Sequence, residues 1–184
     1  GDGKKWMEGK SLEELSETLN KTPLDLLFEI LIEERLRVGA IFFSMSEDNL
    51  SRFLSLPYVM IGSDSSARSF DGITRTGKPH PRGFGSFPRF LCRYGDTLGM
   101  AEAIYRITAM PAKTFSIKKR GLISEGYYAD IVIFDSDRIA DRATFEEPFL
   151  RPDGINYVLI NGRIAVKEGM PTGIKSGRVL RYGH

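Results

Sequence analysis

PYVMIGSDSSARSFDGITRTGKPHPRGFG, residues 57–85, decides how the rest of the chain is read. It opens with an apolar run, Tyr58-Val59-Met60-Ile61, of the length of a buried strand. The run breaks at Gly62-Ser63-Asp64-Ser65. A polar stretch follows, rich in Gly, Ser, Arg and Pro, and carries His80. A strand that ends at a carboxylate and opens into a long polar loop is how α/β enzymes present catalytic groups. The sheet fixes the carboxylate and the loop shapes the pocket. The same pattern also describes a strand followed by a surface turn, where Asp is common because its side chain bonds nearby backbone. Asp64 is a catalytic candidate on this pattern, with the turn as its structural alternative.

Upstream, Val38–Ser44 (VGAIFFS) is a second run suited to a buried parallel strand, and Met45 follows it directly. Ser11-Leu12-Glu13-Glu14 has the form of a capping box, and Leu12, Leu15 and Leu19 share one face of the helix it starts. Thr22-Pro23 starts another, with Thr as N-cap and Pro at the first helical position. Leu24, Leu27, Phe28, Leu31 and Ile32 form its apolar stripe, and its end is expected near Gly39. A third helix starts at Ser46–Asn49, turns Leu50, Phe53 and Leu54 inward and stops at Pro57. Helix, strand, helix, strand predicts βα units in which Val38–Ser44 and Tyr58–Ile61 lie adjacent and parallel.

Downstream, Phe87–Tyr94 reads as a short helix in which Cys92 is a buried small hydrophobe. Asp96-Thr97 caps the next helix, with Met100, Ala103, Ile104 and Ile107 on its inner face, and Pro111 opens a further helical turn. From Gly121 the period changes to two. Strands are expected at Ala129–Phe134, Tyr157–Ile160 and Ile164–Val166, the last pair joined by the hairpin signal Asn161-Gly162. The expected domains are 1–110, holding the βα units, and 111–184, holding these strands and a tail.

The 184 residues are 41% apolar and 27% charged, a soluble globular composition. A net charge of +2 without a basic stripe argues against a nucleic-acid partner. No apolar run approaches the ~20 residues of a membrane span. The single Cys92 excludes an internal disulfide and fits a reducing, cytoplasmic setting.

Ile61-Gly62-Ser63-Asp64 followed by His80-Pro81-Arg82-Gly83 resembles the N-acyl-D-amino-acid deacylase (D-aminoacylase) branch of the metal-dependent amidohydrolases. Agreeing pieces follow in the family's order: a Gly121-Leu122-Ile123 run leading into Ala129-Asp130-Ile131-Val132-Ile133-Phe134-Asp135, then Ile139–Phe145, Val158–Gly162 and Gly177–Arg181. HPRGFG (80–85) and ADRATF (140–145) are the segments most specific to the deacylases. The resemblance implies the C-terminal part of a (β/α)₈ amidohydrolase barrel followed by strands of a small β-sandwich. It implies zinc-dependent hydrolysis of the amide bond of an N-acyl-D-amino acid. Asp64 would stand at the C-terminal end of the last barrel strand, carry the proton and touch the metal. His80 and Arg82, on the loop beyond, would bond the substrate or hold Asp64 in place. Ser63 would also face the substrate, and Met45 would line its side-chain pocket. Arg68, Arg75 and Arg82 compete for the substrate carboxylate.

The family binds zinc mainly through histidines. This sequence has only His80 and His184, with no H-x-H, H-E-x-x-H or C-x-x-C spacing. A full barrel also takes about 250 residues. The expectation is that the metal-binding N-terminal portion lies outside this chain. The chain alone would then hold no stoichiometric zinc, be inactive, and self-associate through uncovered strand edges. Two other readings compete: a cyclic-amide amidohydrolase related to dihydropyrimidinase or dihydroorotase, and a non-catalytic assembly module. HPRGFG and ADRATF count against the first, and Asp64 with His80 against the second.

Overall fold

The computed structural model describes residues 2–182, so His184 lies outside the described residues. The chain forms two compact units, Gly1–Ser46 and Glu47–His184.

In the first unit, α1 (Leu12–Leu19) begins with the predicted capping box. Ser11 Oγ accepts from the Glu14 N–H at 3.1 Å, and Glu14 Oε2 accepts from the Ser11 N–H at 2.7 Å. Asn20, left-handed at φ 52°, ends the helix. In α2 (Pro23–Glu33), Thr22 Oγ1 accepts from the Asp25 N–H at 3.2 Å. Leu15 and Leu26 are the buried apolar residues here. The stripe expected to be buried is not: Leu24, Phe28 and Ile32 are 61%, 54% and 75% exposed. The helix also stops well before Gly39. Arg35 and Leu36 turn left-handed, and the Leu36 N–H closes back onto the Leu31 carbonyl at 2.8 Å. The predicted strand Val38–Ser44 is absent. Its residues are exposed and outside any sheet, because no described segment offers them a hydrogen-bonding ladder.

The second unit has one core, built from Leu54 of α3 (Glu47–Ser55), Phe90 and Leu91 of α4 (Arg82–Leu98), Ala103 of α5 (Met100–Ile107), and Ile139. Val59 and Ile61 pack against this core. Tyr58–Ile61 nevertheless forms no strand: it leaves a turn in which the Val59 N–H donates to the Leu56 carbonyl at 3.3 Å, and it pairs with no other segment. In α3 only Leu54 is buried, while Leu50 and Phe53 stay exposed, contrary to expectation.

α4 replaces the short helix expected at 87–94. It runs through Pro88, whose ring would cost about 3 kcal/mol in an ordinary helix interior. Burial of Pro88, Phe90 and Leu91 offsets that penalty. Gly99, at φ 84°, separates α4 from α5, so Asp96-Thr97 lies within the last turn of α4 and does not cap α5. Cys92 is exposed rather than buried, because it lies on the outer face of α4. α6 (Ala109–Thr114) completes the helices.

Then comes an antiparallel meander of β1 (Ile131–Phe134), β2 (Ile155–Ile160), β3 (Arg163–Lys167) and β4 (Met170–Pro171). Phe134 and Ile155 join the helical core. Among the described residues there is this one sheet. Asn161-Gly162 makes the expected tight turn, with φ of 50° and 78°, between paired Ile160 and Arg163. The Asn161 side chain also accepts from Arg120 Nη2 at 2.7 Å and donates to the Ser176 carbonyl at 2.6 Å. Asp130 accepts from the Asn161 N–H at 2.8 Å and pairs with Arg120. Burial alone would raise its carboxyl, but these two donors prevail and hold it below the usual carboxylate range.

The β1–β2 connection returns through Gly154. A Cβ there would lie 2.6 Å from the Ile139 nitrogen and 2.7 Å from the Arg138 carbonyl carbon, and φ is +78°. Neither obstacle is a movable side chain. Gly154→Ala is expected to lose about 2–3 kcal/mol, read as a lower urea midpoint at unchanged slope. A midpoint equal to wild type would show that the backbones are not in this contact.

Candidate functional site

Asp64 ends the half-buried segment that follows Pro57. Its backbone is left-handed, at φ 46°, and its side chain is 87% exposed. Arg82, the first residue of α4, reaches it twice. Its Nη2 lies 2.7 Å from Asp64 Oδ2, and its Nε donates to the Asp64 carbonyl at 3.0 Å. The Arg82 N–H in turn donates to His80 Nδ1 at 3.0 Å. That bond needs the lone pair on Nδ1, so the ring is neutral with its proton on Nε2. Burial, and then the nearby Arg82 charge, both lower the His80 pKa. Since its ordinary value is about 6.5, lowering it keeps the ring neutral at pH 7.

Two glycines bring the surrounding chain in close. A Cβ on Gly83 would sit 2.7 Å from Ser65 Oγ, and one on Gly85 would sit 2.2 Å from Asp141 Oδ1. Asp141 is held there: its Oδ1 accepts from the Ala143 N–H at 2.9 Å, and Arg89 Nη1 lies 3.8 Å from its Oδ2. The His80 ring meets Phe145 edge-on, with centroids 5.0 Å apart. HPRGFG and ADRATF are therefore one contact surface, which their sequence separation concealed. Neither Asp141 nor Phe145 was among the candidate residues.

The other candidates divide clearly. Ser63 is half-buried beside Asp64. Met45 belongs to the first unit and is 81% exposed. Arg68 Nη1 donates to the Thr76 carbonyl at 3.0 Å. Arg75 stacks over Phe149 at 5.0 Å and, with Lys78, Glu146 and Leu150, lines an open cleft of about 510 Å³. Among the described residues no three of His, Cys, Asp or Glu come together as a metal site. One carboxylate, with an oxygen already bonded to Arg82, does not constitute a zinc site.

The profile of the amidohydrolase family matches residues 22–166, most of the sequence. The chain belongs to the amidohydrolase family. Within it the similarity is to deacylases, as HPRGFG and ADRATF indicated. The D-aminoacylase of Alcaligenes xylosoxydans xylosoxydans is 37% identical over 177 residues, covering 95% of this chain and 34% of that protein. A crystal structure of D-aminoacylase, described as defining a novel subset of amidohydrolases, matches with a TM-score of 0.77 at 36% identity, over 97% of this chain and 36% of that one. The N-acyl-D-glutamate deacylase of Bordetella bronchiseptica, complexed with zinc and a phosphonate mimic of the tetrahedral intermediate, matches with a TM-score of 0.69 at 36% identity, over 89% and 33%. The chain spans about a third of the length of these amidohydrolases. No helix among its described residues is long and apolar enough to cross a membrane.

Proposed function

We propose that this chain is the part of an N-acyl-D-amino-acid deacylase that supplies the proton-carrying carboxylate. Hydrolysis of an amide needs a group to take the proton of the attacking water and return it to the leaving amine. Asp64 does both in turn. Its Oδ2 is engaged by Arg82, and Oδ1 is left to exchange the proton. Arg75 meets the substrate carboxylate, because Arg82 and Arg68 are committed elsewhere and its planar fork suits a carboxylate. Ser63 and His80 border the substrate, and Met45 lines its side-chain pocket. Zinc is the metal of the whole enzyme, held chiefly by residues beyond these 184, with Asp64 as one contact. In that enzyme Val38–Ser44 and Tyr58–Ile61 are the last two barrel strands, adjacent and parallel, in a barrel whose other strands come from elsewhere. The barrel portion ends near Met110 and the small sheet domain follows. The exposed Phe42, Phe43 and Met45 make the isolated chain prone to self-association. Its setting is cytoplasmic.

The observation that carries this reading is that HPRGFG meets Asp64 on one side and ADRATF on the other: Arg82 on Asp64, His80 on Phe145, and Gly85 on Asp141. The test is release of free amino acid by the full-length enzyme from N-acetyl-D-amino acids, their L-enantiomers and a dihydropyrimidine. Hydrolysis confined to the D-series is expected. Ring opening of the dihydropyrimidine without deacylation would overturn the reading.

A further inference from the structure

We propose that Arg82 is a positioning residue that fixes Asp64, and that it does not bind substrate; this rests on Asp64 being the proton carrier. The argument begins with the backbone. Asp enters the left-handed region more readily than most non-glycine residues, but it shares that region with extended conformations, so φ 46° at Asp64 is one choice among several that its contacts must fix. At Asp64 the surroundings are one guanidinium. Arg82 bonds the main-chain carbonyl through Nε and the carboxylate through Nη2, so it fixes the backbone and the side-chain torsion of the same residue. A single exposed ion pair would do little, since solvent screens it and its two long side chains must be ordered to form it. Two bonds from a rigid planar fork add geometric definition that one contact lacks.

The fork is itself anchored. The Arg82 N–H is tied to His80 Nδ1, and His80 is wedged on Phe145. Gly83 and Gly85 let the first turn of α4 press against Ser65 and Asp141. The base of Arg82 is thus held from the Asp64 side and from the 140–145 side. This makes Arg82 the link through which the deacylase-specific segments act on Asp64.

The experiment uses the full-length enzyme with Arg82→Gln and Arg82→Lys. Crystal structures of the wild type and Arg82→Gln are compared at Asp64, and kcat and KM are measured for an N-acetyl-D-amino acid. In Arg82→Gln, Asp64 is expected to leave its left-handed φ or to move its carboxylate by about 1 Å, a displacement of the size that costs catalysis on the order of a hundredfold. kcat should fall at least about tenfold while KM stays within about twofold. Arg82→Lys should recover part of kcat by restoring one of the two bonds. A raised KM at unchanged kcat would make Arg82 a substrate ligand and overturn the proposal. So would an Asp64 that keeps its geometry in Arg82→Gln, or one that moves with no change in kcat. If the wild type deacylates nothing, the functional reading fails by itself, and the crystallographic comparison still decides whether Arg82 positions Asp64.

Discussion

Asp64→Asn in the full-length enzyme is expected to lower kcat by about a hundredfold to ten-thousandfold, the usual worth of a positioned proton carrier. The substitution is well suited to the site. Asn tolerates the left-handed backbone that Asp64 adopts, so φ 46° is not put under new strain. Its amide oxygen can still accept from Arg82. The pair lost is exposed, so folding stability should change by no more than about 1 kcal/mol. What disappears is the capacity to take a proton from water and hand it on. Metal content by elemental analysis should stay near the wild-type value, because most ligands lie elsewhere in this reading. Release of free D-amino acid should nearly cease. Activity within about tenfold of wild type, only about 1.4 kcal/mol in barrier, would remove Asp64 from the proton-carrying role. Loss of metal together with activity would make it an essential ligand instead.

Arg106→Ala is expected to cost about 3 kcal/mol of folding stability, because two carbonyls lose their donor. Arg106 is only 4% exposed. Its Nη1 donates to the Leu54 carbonyl at 2.5 Å and the Leu56 carbonyl at 3.0 Å, and its Nε donates to Glu102 at 2.7 Å. It therefore closes the C-terminal end of α3, where helical carbonyls lack partners, and ties it to α5. Glu102 is 40% exposed and can turn to water, so no charge is stranded. That places the loss at the lower end of the range for broken buried pairs, about 3–5 kcal/mol. Arg106→Met, which keeps the packing and removes the donors, should lose most of the same amount. Urea unfolding of the three proteins measures both. A loss under about 1 kcal/mol for Arg106→Ala would mean that water replaces the guanidinium at these carbonyls.

The features legible in the sequence are those whose chemistry is complete within a few residues. Ser11 and Glu14 cap each other, Thr22-Pro23 starts a helix, and Asn161-Gly162 turns a hairpin by its own dihedral preferences. Tyr58–Ile61 and Val38–Ser44 illustrate the opposite case. Apolar content marks a segment as strand-like, but a strand exists only beside another, and no described segment pairs with either. Leu26 is buried while Leu24 and Ile32 are not, since periodicity defines a face without saying what will cover it. The helix expected at Phe87–Tyr94 exists but runs from Arg82 to Leu98, because a proline near its expected start reads as a boundary while its buried neighbours carry the helix through it.

For the candidate site, motif resemblance singled out Asp64, His80 and Arg82 but could not divide roles among three arginines. The division proposed above rests on the distance from Arg82 to Asp64 and on the place of Arg75 at the cleft. Arg106 is not among the inner-face residues expected for its helix, because charge on a helix is normally solvated. Its position three residues after Ala103 put it on the inner face and was the available signal.

The notch at Gly85 has a consequence for how such proteins can diverge. Asp141 belongs to the excursion between β1 and β2, whereas Gly85 belongs to the helix that follows the Asp64 loop, and their atoms interlock. A crossover anywhere between them would join a helix shaped for one carboxylate to an excursion carrying another. Exchanging the segment that carries residues 140–145 without residues 80–85 is therefore expected to disturb the fit at Gly85, even though the small sheet contributes no proposed catalytic group.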